Sequence, residues 1–156
     1  MNIKKITDQL IAHEGLRLKP YHCPAGKLTI GVGRNLEDKG ITEQEALMLL
    51  ENDIQNCIAD LQEIFQDQEN QDDQDKENRF DILPEQVQSV LVDMRFNLGH
   101  KGFRKFKNMI KAVKQQDFYS AAREMRDSLW YHQVGKRAKR LTEMMQDSAG
   151  STDTAS

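Results

Sequence analysis

Residues 13–33 read HEGLRLKPYHCPAGKLTIGVG, with a carboxylate at Glu14, a thiol at Cys23 and a hydroxyl at Thr29. Glu14 lies near the end of a helical pattern whose apolar side is Ile3, Ile6, Leu10 and Ile11. Cys23 and Thr29 fall in a segment punctuated by glycine and proline. The change of period at this point predicts a helix over 2–13 followed by a β-hairpin region over 17–34. Folding the hairpin back over the helix end would gather one acid and two small polar groups round a cleft. A glutamate so placed can serve as a general acid with a partner that holds water.

Outward from this stretch the chain becomes helical. Thr42 and Glu45 carry a capping-box signature. Ala46, Leu49, Leu50, Ile54, Cys57, Ile58, Leu61 and Ile64 form an apolar stripe behind it, predicting a helix of about 23 residues. Pro84 opens a further helix with Val87, Val90, Leu91, Met94 and Leu98 at helical spacing, and Gly99 is expected to end it. Three short helices are predicted near 104–114, 117–129 and 137–146, and residues 147–156 read as a disordered tail.

The chain has 156 residues, 38% of them hydrophobic and 30% charged, which suits one ordinary core or two small lobes. No apolar run approaches the roughly 18 residues of a bilayer span. The start MNIKKITDQL lacks a signal-type apolar stretch, so a cytoplasmic origin and no stable membrane association are expected. The net charge of −3 is unevenly spread. Residues 66–81 hold seven acids against Lys76 and Arg79 and read as a mobile acidic loop, whereas Arg95 to Arg140 carries a formal +10. A polyanion would meet the C-terminal half first. Bacterial cell wall and nucleic acid both qualify, but no nucleic-acid-reading motif accompanies the charge, and a solvated basic face serves equally well. Two cysteines are too few for a disulfide framework. Cys57 lies on the apolar stripe and reads as a buried thiol.

The spacing Glu, eight residues, Cys, five residues, Thr, followed by Ile30-Gly31-Val32-Gly33, resembles the catalytic signature of the phage-type lysozymes, glycoside hydrolase family 24. Gly40-Ile41-Thr42, Phe96-Asn97-Leu98-Gly99, Trp130-Tyr131 and Arg137-Ala138-Lys139-Arg140 follow in the same order, so the resemblance covers about residues 1–146. It implies a mainly α (α+β), two-lobe lysozyme-like fold in one domain. The N-lobe would span about 12–60 with the hairpin, the long helix would bridge the lobes, and the helical C-lobe would span about 82–146 and include the N-terminal helix.

The activity it implies is that of a muramidase, cutting the β-1,4 bond between N-acetylmuramic acid and N-acetylglucosamine in peptidoglycan. Glu14 is then the acid, kept protonated by partial burial and oriented by Arg137, and Thr29 holds the attacking water. Most members have aspartate where this chain has Cys23. A Glu, Cys, Thr triad also belongs to the family pattern, and the thiol could act as a thiolate stabiliser, as a nucleophile or only in placing water. The opposite reading is a degenerate site in an inactive relic. Asn97 faces either substrate or local backbone. Arg140 contacts peptide or supports Arg137, and Arg34 pairs with Asp53 as a structural link. Trp130 and Tyr131 read as core. No metal or organic cofactor is implied and a monomer is expected. An endolysin of this type would need a holin to reach the wall. A wall-binding module without catalysis and a delivered muramidase toxin are the other readings.

Overall fold

The computed structural model describes residues 1–66 and 79–150, so the acidic run expected as a mobile loop lies largely outside the described residues. The chain divides into two compact units, Met1–Leu50 and Glu51–Ser156. The N-terminal helix, expected with the C-terminal lobe, falls in the first unit.

In the first unit, α1 (Ile3–Glu14) starts at Asn2, whose side chain accepts from Lys5 N–H at 3.1 Å. It stops at Gly15, whose φ of 77° admits no ordinary side chain at low cost. Three antiparallel strands follow in the order β1-β2-β3: β1 (Arg17–His22), β2 (Leu28–Gly31) and β3 (Arg34–Asn35). β1 is an edge strand, and its register shifts between Arg17 and Tyr21, around Pro20. Proline has no N–H to give to a ladder, so an edge irregularity is where a strand can carry it.

The predicted capping box forms as read. Glu45 N–H donates to Thr42 Oγ1 at 3.2 Å and Thr42 N–H to Glu45 Oε2 at 2.8 Å, starting α2 (Glu43–Ile64). α2 has 22 residues against the expected 23 and contains the division at Leu50.

The second unit holds α3 (Glu85–Arg104), α4 (Lys107–Lys114), α5 (Phe118–Arg126), α6 (Leu129–Val134) and α7 (Lys136–Gly150). Gly99 breaks α3 at φ 76°, ψ 173°, but does not end it, because the chain resumes helical geometry and buries Phe103 beyond the break. The helix predicted over 117–129 stops at Arg126, and a further helix that was not predicted follows it. Asp117 caps α5 through Ser120 N–H at 3.0 Å, and Ser128 caps a separate α6 through Tyr131 N–H at 3.2 Å. α7 runs through Gly150, so residues 147–150, expected in the tail, are helical, and the last six residues lie outside the described ones.

The core gathers Leu61, Phe65, Val90, Leu91, Met94, Phe103, Phe118, Met125 and Met145, all almost fully buried. Trp130 is buried and Tyr131 packs beside the core, as read from the sequence. Cys57 is buried and both thiols are free. Phe80, at one end of the acidic run, is buried with its ring 6.4 Å from that of Phe65.

These findings bear out a mainly α architecture with a small antiparallel sheet. No helix among the described residues is long and apolar enough to cross a membrane.

Candidate active site

The first unit carries Glu14, Cys23 and Thr29, and each is placed by a different local device. Glu14 is the last residue of α1, and its carboxylate packs against Gly33 in the turn between β2 and β3. A Cβ added to Gly33 would sit 3.0 Å from Glu14 Oε2, and Gly33 has φ +66°. Gly33 therefore provides both the turn and the room for the carboxylate. Glu14 is exposed, whereas the resemblance implied partial burial.

Cys23 opens the turn from β1 to β2. Its N–H donates to the Lys27 carbonyl at 3.0 Å, and Gly26 N–H donates to the Cys23 carbonyl at 2.8 Å. Hydrogen bonding from the Lys27 backbone is the main influence holding the thiol below its ordinary range. Desolvation opposes it, and the Ala25 backbone and the Thr29 hydroxyl assist. Backbone N–H donors stabilise negative charge on a nearby atom.

Thr29 is 3% exposed, in the central strand between Tyr21 and Asn35. Its hydroxyl donates to the Lys27 carbonyl at 2.8 Å and also lies in hydrogen-bonding reach of the Cys23 thiol. One hydroxyl proton serves one acceptor at a time, so the oxygen keeps lone pairs for a second donor such as water. The turn is braced from below, where Lys27 Nζ meets Asp38 at 3.2 Å and Glu37 at 3.6 Å, and Leu28 N–H donates to Glu37 Oε1 at 3.0 Å.

Arg34 takes a different partner from the one expected. Its guanidinium forks onto Glu45 with bonds of 2.8 and 2.7 Å, and Asp53 belongs to the second unit. Two parallel bonds to one carboxylate match the planar guanidinium better than a single contact does. Those bonds, with Thr42 N–H, hold Glu45 at about 2 against an ordinary 4.5, and Arg34 is raised in turn. Glu45 was legible as a capping residue. Nothing in the spacing marked it as doubly used.

In the second unit Asn97 is exposed, and its Oδ1 accepts from Trp130 Nε1 at 2.9 Å. The amide thus satisfies a buried indole rather than helix-end backbone, leaving its NH2 group to donate. Arg137 Nε donates to Asp93 Oδ1 at 2.6 Å. That carboxylate was not anticipated for Arg137, which the resemblance had assigned to orienting Glu14. Arg140 is exposed. A cavity of about 590 Å³ is walled by Leu98, Phe106, Met109 and Trp130, with Lys105, Asn108, Glu124 and Asp127 at its polar side. The Phe106 and Trp130 rings meet edge to face at 6.0 Å.

Sequence reading also missed Asp60, a buried carboxylate bound by Arg95 Nε and by Arg104 through Nη1 at 2.9 Å and Nη2 at 2.5 Å. Burial pushes its pKa up, but the hydrogen bonds from Arg104 and Arg95 outweigh it and hold the group at about 2. An acid on an otherwise apolar helix stripe was the available signal. Among the described residues no group of three or more His, Cys, Asp or Glu is gathered as metal ligands.

The phage lysozyme family model matches residues 11–147. Probable T4-type lysozyme 2 and Probable T4-type lysozyme 1 of Dictyostelium discoideum are each 24% identical to this chain, over 92% of it and 95% of their own lengths. The Pre-baseplate central spike protein Gp5 of Enterobacteria phage T4 is 29% identical over 88% of this chain, which spans 27% of that protein. With the matched segment taking in Glu14, the Cys23 turn, Thr29 and both units, the chain belongs to the phage lysozyme family.

Proposed function

We propose that this protein is a muramidase that hydrolyses the β-1,4 bond between N-acetylmuramic acid and N-acetylglucosamine in bacterial peptidoglycan, with Glu14, Cys23 and Thr29 as its reacting groups. The observation that carries the reading is the Cys23 turn. There a thiol held below its ordinary range by backbone N–H donors stands beside a hydroxyl with acceptor capacity to spare. Glycoside hydrolysis through an oxocarbenium-like transition state needs a proton donor and an opposing group that stabilises charge or directs water. Glu14 supplies the proton to the leaving oxygen. The Cys23 sulfur carries negative charge in place of the usual carboxylate, and Thr29 orients the water. Asn97, Arg137 and Arg140 contact glycan or stem peptide. Arg34 remains structural, through Glu45 rather than Asp53. Inversion through a bound water is the expected outcome.

In the cell the enzyme would act as an endolysin on peptidoglycan, from the cytoplasm, as a monomer and without metal or organic cofactor. A separate holin would open the path to the wall. The second reading, a wall-binding module, is favoured by one observation: the segment from Arg95 to Arg140 carries a formal +10.

The test is release of muropeptides from purified peptidoglycan under reducing conditions by wild type, Glu14→Gln, Cys23→Ala and Cys23→Asp. Wild type should yield products with muramic-acid reducing ends. Glu14→Gln should lose at least about a hundredfold in rate, the scale of a general acid, while still binding wall. Cys23→Ala should be impaired. A silent wild type alongside an active Cys23→Asp would leave the binding module as the function.

A further inference from the structure

Asp60 ties together the two halves of a broken helix. Its carboxylate, 8% exposed, takes Arg95 Nε from the part of α3 before Gly99 and the Arg104 fork from the part after it. His100, the first residue past the break, closes the cluster. Its Nδ1 lies 2.9 Å from Arg104 Nη1 and 3.1 Å from Asp60 Oδ1. At the break the backbone of Gly99 leaves helical geometry, with φ 76° and ψ 173°. Asn97 stands between the two arginines, two residues before the glycine, with its Oδ1 committed to Trp130.

From this arrangement we infer that Asp60 is a positioning residue. By holding Arg95 and Arg104 together it fixes the angle of α3 at Gly99, so that Asn97 stays on Trp130 with its NH2 group presented to substrate. The inference rests on the muramidase reading for its effect on catalysis, but not for its effect on structure. A buried carboxylate with two arginines is costly to assemble and brings little net stability over an apolar alternative, while loss of one partner leaves uncompensated charge. The cluster's return is geometric. It sets one helix angle that apolar side chains, which pack in several ways, do not specify as sharply.

The chain has one tryptophan, so the Trp130 indole gives a single N–H signal in a ¹⁵N-labelled sample. In Asp60→Asn the signal should move toward its position in Asn97→Ala, and its exchange with solvent should speed up by at least about fivefold at a temperature where the protein is folded. On a soluble glycan substrate KM should rise about tenfold with kcat changed by less than about twofold, and the change should vanish in the Asn97→Ala background. Asp60→Glu should restore part of both. If Asp60→Asn does not fold, Arg104→Lys keeps the charge, loses the fork, and should give the same indole shift. An indole signal unchanged while the melting temperature falls would overturn the inference. If the wild type cleaves no glycan, the muramidase reading fails, and the indole measurement decides the role of Asp60 by itself.

Discussion

The two units are held together by different forces. In the first, Thr29 is the one buried residue among those described, and order comes from hydrogen bonds and ion pairs: the capping box, the Arg34 fork on Glu45, and Lys27 on Glu37 and Asp38. In the second lies every buried apolar side chain among the described residues, with one buried charge cluster at Asp60. The candidate reacting groups sit on the polar unit. Polar contacts fix directions within tenths of an ångström and cost little to rearrange, whereas apolar burial supplies free energy without much direction. A site that needs precise donors and some freedom is well served by the first kind of scaffold, provided the second supplies stability.

The sharpest break of that contrast is a cavity in the apolar unit. Phe103→Ala should cost about 3–5 kcal/mol in denaturant unfolding, since Phe103 is fully buried beyond the Gly99 break. A loss below about 1 kcal/mol would mean that the core is not where stability resides.

Between the units the cysteines give a second contrast. Cys23, in its cradle of backbone N–H groups, should be alkylated by iodoacetamide at a pH below the ordinary thiol range. Cys57, whose pKa burial pushes up, should react only when the protein unfolds. Mass spectrometry of tryptic peptides along a pH series distinguishes the two sites. Equal reactivity would remove the case for a thiolate in the first unit.

Acid provides the finest distinction. Glu45 is held at about 2 against an ordinary 4.5, and Asp60 at about 2 against 3.8. Both pKa values are depressed by folding, so each group contributes its full stability above its ordinary value and loses it as pH falls through about 2. Glu45→Gln and Asp60→Asn should therefore differ most from wild type near neutral pH, and their melting curves should converge with it toward about pH 2. The Arg34–Glu45 pair, half-buried and more exposed than Asp60, should give the smaller effect and the greater sensitivity to salt. Deficits independent of pH would show that neither carboxylate acts through its charge.

The legible parts of this protein were those encoded by near neighbours. Thr42 and Glu45 announced α2 because the capping box closes within four residues, and the helical spacing of Val87, Val90, Leu91 and Met94 marked the face of α3 that becomes core. Glu14, Cys23 and Thr29 stood out by spacing alone, and the family match covers all three. What failed was the effect of Gly99, the separate helix begun by Ser128, and the length of α7. A glycine can end a helix or merely break it, depending on whether the next turn finds burial, and Phe103 did.

Charge partners were decided by the tertiary structure. Arg34 met Glu45 rather than Asp53, Arg137 met Asp93, and Asp60 met Arg95 and Arg104, 35 and 44 residues away. Helix starts and apolar faces depend on contacts within one or two turns, which sequence spacing records. A long charged side chain reaches whichever opposite charge the fold brings near, and that is a property of three-dimensional placement which no local pattern contains.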